Sequence, residues 1–277
     1  MKRLLLLHLC FAFVFFSNAQ LNMPQASPTQ TIIQNFGVGK IVLEYSRPSI
    51  KGRQIFQQNS ELAPLGKVWR TGANNATKII FDNPVTIGGK QLDSGTYAIF
   101  TVPGQKEWTV IINKGADKSG TDYDEKNDVA RFTVASQKTS SPVETFTMQF
   151  GNITAESCDL HLKWANTDVR VPITTNIKDK LRAQIESALQ SDKKPYWQAA
   201  NFYYEMDKNY SKALENVNSA LQNNDDAFYM HLLKARIEKA LGDKAAAKAS
   251  AQKCITTATA AKNDDYVRMA NELIKTL

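Results

Sequence analysis

Residues that commonly carry chemistry are scarce in this chain. Its 277 residues include only three histidines and three cysteines, and one of each lies in the first nineteen residues. His161 and His231 are far apart and have no second His or Cys close in sequence, so the spacing of a histidine metal centre is missing. Cys158 and Cys254 fall on a predicted strand and a predicted helix, and we expect both to be buried and unbridged. The sequence predicts no metal and no cofactor.

Long apolar runs are also missing, apart from one at the start of the chain. Met1, Lys2 and Arg3 precede an apolar run from Leu4 to Phe16, and the small residues of Ser17-Asn18-Ala19 follow it. The run spans about 13 residues, fewer than the ~20 needed to cross a bilayer. This order is typical of a secretory signal peptide. We expect residues 1–19 to be removed, the mature chain to lack a transmembrane segment, and the protein to be exported to the periplasm, cell envelope or medium.

Charge of one sign is not concentrated anywhere. The formal net charge of +7 is spread over a mixed surface, and no basic stripe indicates nucleic acid. No nucleophile elbow, phosphate loop or dinucleotide fingerprint occurs. The sequence therefore names no catalytic residue.

A period of two runs from about residue 31 to residue 175. Ile41, Leu43 and Tyr45 alternate with polar or outward residues, and Gly88-Gly89 and Pro103-Gly104-Gln105-Lys106 are typical hairpin turns. Cys158 to Trp164 alternates in the same way, and Asn166-Thr167 predicts a turn before a last strand. Residues 20–175 are expected to form an antiparallel β-sandwich or jelly roll.

After Asn176 the period becomes helical and predicts about six helices in hairpins over residues 176–277. Aligning Ala213 with Ala247 reveals a repeat of about 34 residues, the length of a tetratricopeptide repeat. Trp197, Tyr204 and Ala220 occupy large and small positions of that pattern. The pattern favours a degenerate tetratricopeptide-like array, and a plain antiparallel bundle is the alternative. The predicted class is therefore α+β, with two domains.

The residues between Ser46 and Thr77 form the most unusual stretch. They bring together four cations, three neutral hydrogen-bonding side chains and an indole. The candidate ligand-binding residues are Arg47, Lys51, Arg53, Trp69, Arg70, Thr71, Asn74 and Thr77. Guanidinium groups bind carboxylate or phosphate, so an anionic or polyhydroxyl ligand is one interpretation. The other is that these side chains fasten long loops to the sandwich through backbone carbonyls.

An acidic stretch invites comparison with a calcium loop. It contains Asp117, Asp122, Asp124, Glu125 and Asp128. Lys126 interrupts it, and the glycine and distal glutamate of an EF-hand are missing. A solvated hairpin is the preferred interpretation.

Several runs resemble the bacterial family catalogued as domain of unknown function 2911. They are Val68-Trp69-Arg70-Thr71-Gly72-Ala73-Asn74, Gly88-Gly89-Lys90, Gly95-Thr96-Tyr97, Glu107-Trp108 and Tyr123-Asp124. The resemblance covers about residues 46–173 and implies an exported β-rich domain, often followed by helical repeats. It implies no established activity. Asn75 stands where the family pattern often has an acidic residue, which argues against a catalytic carboxylate there.

Two functions follow as hypotheses. The first is an exported envelope binding or scaffold protein whose β domain holds a small anionic or carbohydrate ligand and whose helices contact a protein partner. The alternative is an envelope hydrolase acting on a glycan or anionic substrate. A hydrolase requires an acid, base or nucleophile in the ligand cleft, whereas cations and amides alone favour binding.

Overall fold

A computed structural model describes residues 23–116 and 122–277. The predicted signal peptide, its predicted cleavage site and Asp117 lie outside these residues. Within these residues the β-rich part has nine strands: β1 (Thr29–Phe36), β2 (Gly39–Ser46), β3 (Thr77–Phe81), β4 (Val85–Ile87), β5 (Lys90–Leu92), β6 (Gly95–Val102), β7 (Glu107–Asn113), β8 (Asp128–Gly151) and β9 (Ser157–Thr174). Every pairing between them is antiparallel.

The strands follow the order β1-β2-β3-β6-β7-β8-β9-β4-β5. The long strand β8 changes partner along its length: β7 pairs with its first third, from Asp128 to Ala135, and β9 pairs with it from Ser136 onward. One strand therefore belongs to two layers, and the inward side chains of both layers form a single core. The predicted hairpins at Gly88-Gly89 and between β6 and β7 are confirmed.

Aromatic rings fill the centre of this core. The indoles of Trp69 and Trp164 stack with centroids 5.7 Å apart, and Trp108 meets Trp69 edge to face at 6.1 Å. Phe146 of β8 closes the cluster against Trp69 at 5.1 Å. Residues from three strands and one loop thus converge on one point, which fixes the loop that carries Trp69.

The predicted turn at Asn166-Thr167 is wrong, because β9 runs through these residues without a break. The strand has an irregularity instead: Ala165 has φ 48°, and the pairing with β8 shifts between Lys138 and Val143. The buried apolar residues of β9 are even-numbered as far as Trp164 and odd-numbered from Val169. The extra residues of this irregularity lie in β8, and the left-handed Ala165 accompanies the change of face in β9. In sequence that change looks like a turn.

The second part is helical, as predicted. It consists of α1 (Lys178–Ala188), α2 (Tyr196–Phe202), α3 (Tyr210–Asn223), α4 (Phe228–Ala240), α5 (Lys244–Ala260) and α6 (Asp264–Lys275). A π-helical turn at Tyr203–Asp207 follows α2. Each helix from α2 to α6 packs against the next in sequence, and no helix in residues 23–116 and 122–277 is long and apolar enough to cross a membrane.

Candidate functional site

The connection from β2 to β3, residues 47–76, carries seven of the eight predicted ligand-binding residues, and Thr77 opens β3. We call it the β2–β3 segment. Its first arginine is bound to β8: Arg47 Nε donates to the Phe146 carbonyl at 3.1 Å and Nη2 to Thr147 Oγ1 at 2.8 Å. Arg53 binds within the segment, to the carbonyls of Ile50 and Ser49 at 3.1 and 2.6 Å. Both guanidinium groups therefore satisfy backbone carbonyls.

Arg70 and Asn74 make a second set of contacts. Arg70 Nη1 donates to the Asn74 carbonyl at 2.8 Å. Asn74 Nδ2 donates to the Ser27 carbonyl and to Ser46 Oγ, both at 3.1 Å. These bonds connect the segment to the residue that ends β2 and to the chain that precedes β1.

Thr71 and Thr77 lie in the interior. The Thr71 hydroxyl is 3.1 Å from Thr101 Oγ1, and Thr77 Oγ1 donates to the Thr71 carbonyl at 2.6 Å. Trp69 is only 4% exposed, and its indole N–H donates to the Gly72 carbonyl at 3.0 Å. These three residues are placed as core and not as the lining of an open cleft.

Lys51 lies apart from the other cations, in an exposed turn whose backbone N–H donates to Glu144 Oε1 at 2.8 Å. The structure therefore places the predicted residues on one segment without directing their charges into one cleft. This geometry matches the loop-fastening interpretation. The hypothesis that they bind an anion stays a prediction.

A cavity that the sequence did not indicate lies beside these contacts. We call it the amide-lined cavity; its volume is about 810 Å³ and its lining is Gln54, Phe56, Gln57, Gln58, Asn59, Leu65, Gly66 and Gln105. Gln105 comes from the turn between β6 and β7, and the rest from the β2–β3 segment. A run of amides between two glycines was the only available signal, and it resembles an ordinary polar loop.

Hydrogen bonds of the backbone hold the walls of this cavity. Phe56 N–H donates to the Ala63 carbonyl at 3.1 Å, and Leu65 N–H to the Gln57 carbonyl at 3.2 Å. Gly66 N–H donates to the Pro103 carbonyl at 2.9 Å, which joins the segment to the β6–β7 turn. The cavity is therefore formed by loops that are fixed to each other and to the sheet.

A comparison with protein families finds a match over residues 27–173 to the family described as "Protein of unknown function (DUF2911)". These residues make up more than half of the chain and include the β2–β3 segment, the amide-lined cavity and nearly all of β9. The chain belongs to this family. A comparison with curated proteins finds no match. The DUF2911 match ends at residue 173, one residue before the end of β9, so the helices lie outside it.

The outer face of β9 in the DUF2911 domain carries a His–Asp pair. His161 Nδ1 lies 3.0 Å from both carboxylate oxygens of Asp168, and 17% of the His161 side chain is exposed. Cys158 on the opposite face is buried, as expected, and burial raises the pKa of its thiol to about 12. Cys254 in the helical part is also buried and free, with a pKa raised by burial to about 11.

In the acidic stretch of the DUF2911 domain, Asp124 and Asp128 form hydrogen bonds with residues close in sequence. Asp128 accepts from Tyr123 Oη at 2.7 Å and from Arg131 Nη2 at 3.0 Å, and Asp124 caps a short 3-10 helix through the Lys126 N–H. Within residues 23–116 and 122–277, no group of three or more His, Cys, Asp or Glu side chains is arranged to hold a metal. Burial and the Asp128 carboxylate raise the pKa of Tyr123 to about 12.

A second cavity of about 550 Å³ lies between α1, α2 and α3, outside the DUF2911 domain. Lys212 Nζ donates to Glu186 Oε1 at 2.9 Å and lies 5.1 Å from the centre of the Tyr203 ring. The hydrogen bond raises the pKa of Lys212 and lowers that of Glu186. Both side chains therefore stay ionised at neutral pH, and both are exposed to solvent. They can make polar contacts with another molecule.

Proposed function

We propose that this protein is an exported binding or scaffold protein of the cell envelope. Its DUF2911 domain would hold a small anionic or carbohydrate ligand, and its helices, as tetratricopeptide-like repeats, would contact a partner protein. The observation that carries the proposal is the amide-lined cavity. Its described lining residues have amide, apolar or backbone groups and no ionisable side chain, so they can bind a ligand but cannot transfer a proton.

This lining also distinguishes the proposal from an envelope hydrolase. Glycan hydrolysis typically requires two carboxyl groups on either side of the scissile bond. No cationic side chain is among the described lining residues, and Arg47 and Arg53 of the same segment donate to backbone carbonyls. Binding without turnover is therefore the better supported of the two hypotheses.

The helices support the partner-binding half of the proposal. Positions one repeat apart in α3 and α5 are buried alike: Ala213 with Ala247, Val217 with Ala251, and Ala220 with Cys254. Stacked helix pairs of similar packing offer an extended groove for another protein. The cavity between α1, α2 and α3 presents both signs of charge through Lys212 and Glu186, which would suit polar contacts with a partner.

The test is affinity capture from an envelope extract with the purified chain, combined with an assay for turnover of envelope glycans. We expect specific capture of a protein that Lys212→Ala weakens, whereas the control Lys248→Ala on the exposed surface of α5 does not. We expect no cleavage products. Saturable glycan cleavage by the chain would contradict the proposal and favour the hydrolase.

Export is tested separately by mass spectrometry of the protein recovered from its native compartment. A mature N-terminus at Gln20 is expected from the small residues at Ser17 and Ala19. Recovery with Met1 intact would contradict an exported location.

A further inference from the structure

The amide-lined cavity has a composition that selects among ligands. Its polar side chains are Gln54, Gln57, Gln58, Asn59 and Gln105. Each primary amide has two N–H donors and a carbonyl that accepts, and none carries charge. A ligand that matches this set must both donate and accept many hydrogen bonds without a net charge.

No cationic side chain is among the described residues that line this cavity. Guanidinium and ammonium groups bind anions because their charge-assisted hydrogen bonds offset the free energy of removing the anion from water. The nearby guanidinium of Arg53 donates instead to the carbonyls of Ser49 and Ile50. The lining therefore favours a neutral ligand over a carboxylate or phosphate.

Phe56 and Leu65 supply an apolar surface between the amides. The Phe56 ring is held edge to face on Trp108, with centroids 4.8 Å apart, and also contacts Trp164 at 5.9 Å. A sugar ring has hydroxyls at its rim and C–H groups on its faces, so it can use an aromatic surface and amides together.

The position of Phe56 is imposed by the fold and not by its own preference. Its backbone has φ 55°, a region that bulky residues seldom occupy. The Phe56 N–H···Ala63 bond and the aromatic contacts hold it there. Such strain is found at ligand clamps, where the shape of the site is set before the ligand arrives.

We propose that the amide-lined cavity of the DUF2911 domain binds a neutral, hydroxyl-rich glycan. The inference rests on the proposed binding function and narrows its ligand from anionic or carbohydrate to neutral carbohydrate. It also assigns the ligand to Gln54–Asn59 and Gln105, in place of the arginines.

The experiment titrates the purified full chain with neutral hexasaccharides (chitohexaose, cellohexaose and laminarihexaose) and with anionic ones (hexagalacturonate and a heparin hexasaccharide) by calorimetry. We expect saturable binding of a neutral hexasaccharide. The double variant Gln57→Ala/Gln58→Ala should weaken that binding about tenfold, the effect of losing one or two good hydrogen bonds. Its melting temperature should not change, because both side chains are exposed.

The matched control is Gln137→Ala/Gln149→Ala, which removes two exposed amides of β8 outside the cavity. It should bind like the unaltered chain. Failure of every neutral hexasaccharide to bind, or full binding by the Gln57/Gln58 variant, overturns the inference. Binding of an anionic hexasaccharide alone also overturns the inference, but it leaves the proposed binding function standing. The proposed function itself fails if no hexasaccharide binds and the chain captures no envelope partner.

Discussion

Four residues of the β2–β3 segment have a left-handed backbone although none is glycine: Lys51, Phe56, Thr71 and Asn74. This conformation costs free energy in a residue with a Cβ atom, most of all in a β-branched one such as Thr71. Thr71 is held by its contact with Thr101 and by the hydroxyl of Thr77, all buried. The arginines and threonines that suggested a ligand site are, in the structure, part of what keeps these conformations in place.

Two substitutions at Asn74 separate the free-energy cost of its left-handed backbone from the contribution of its side-chain hydrogen bonds. Asn74→Ala removes the bonds to Ser27 and Ser46 and keeps a Cβ at φ 57°, so the free energy of unfolding should fall by about 1–3 kcal/mol. Asn74→Gly loses the same bonds but relieves the backbone, and should be about 1 kcal/mol more stable than the alanine variant. Urea denaturation measures both.

The exposed neighbour Asn75 provides the control for this comparison. Asn75→Ala should stay within about 0.5 kcal/mol of the unaltered chain. Equal stability of Asn74→Ala and Asn74→Gly would show that the left-handed backbone at this position carries no measurable cost.

At the scale of elements, the hairpin of β4 and β5 depends on two glycines that are not equivalent. A Cβ added to Gly88 would lie 2.0 Å from Phe132 Cδ1 of β8, whereas one added to Gly89 would meet nothing within 4 Å. Both have positive φ, so the backbone cost of alanine is similar. Gly88→Ala should therefore lower the free energy of unfolding by at least about 1 kcal/mol more than Gly89→Ala, as measured by denaturation. Equal losses would mean that Phe132 moves aside freely.

The packing of the helices makes a second prediction at this scale. Ala213 in α3 is completely buried, so Ala213→Leu should overpack its contacts and cost about 1–3 kcal/mol. Ala249→Leu, at an exposed position within α5, is the control and should be nearly neutral, because leucine is also a good helix former. Thermal melts followed at 222 nm test both, and a neutral Ala213→Leu would argue against close contact between helices at this position.

Elements with a local cause could be predicted from the sequence. The β4–β5 hairpin follows from Gly88-Gly89, and the six helices follow from a periodicity that each segment carries by itself. The left-handed residue Ala165 was mistaken for part of a turn because both interrupt a period of two. The amide-lined cavity could not be predicted, because it depends on a contact between residues that are distant in sequence. The Gly66 N–H donates to the Pro103 carbonyl and so brings the β2–β3 segment to the β6–β7 turn. Arg47 likewise finds its partners about a hundred residues away on β8.

At the scale of the whole molecule, the two parts meet at a small junction. Ile177 is 5% exposed and lies against Gly37, in the turn between β1 and β2. The Glu156 carboxylate accepts from the N–H groups of Ile177 and Lys178, at 3.0 and 3.1 Å, where α1 begins. A carboxylate at the N-terminus of a helix accepts hydrogen bonds from free N–H groups and interacts favourably with the positive end of the helix dipole. The β part therefore helps to start the first helix.

This junction sharpens the prediction that the two parts have separate cores. A fragment of residues 20–175 should fold alone with a β-type circular dichroism spectrum, because its apolar core is complete without the helices. A fragment of residues 20–180 should melt a few degrees higher, since Ile177 then covers Gly37 and Glu156 regains its N–H partners. Glu156→Gln should reduce this difference, because a neutral amide is a weaker acceptor for the helix end. An unfolded 20–175 fragment beside a stable full chain would show instead that the helices complete the fold of the β part, and that the division at residue 175 cuts through one cooperative unit.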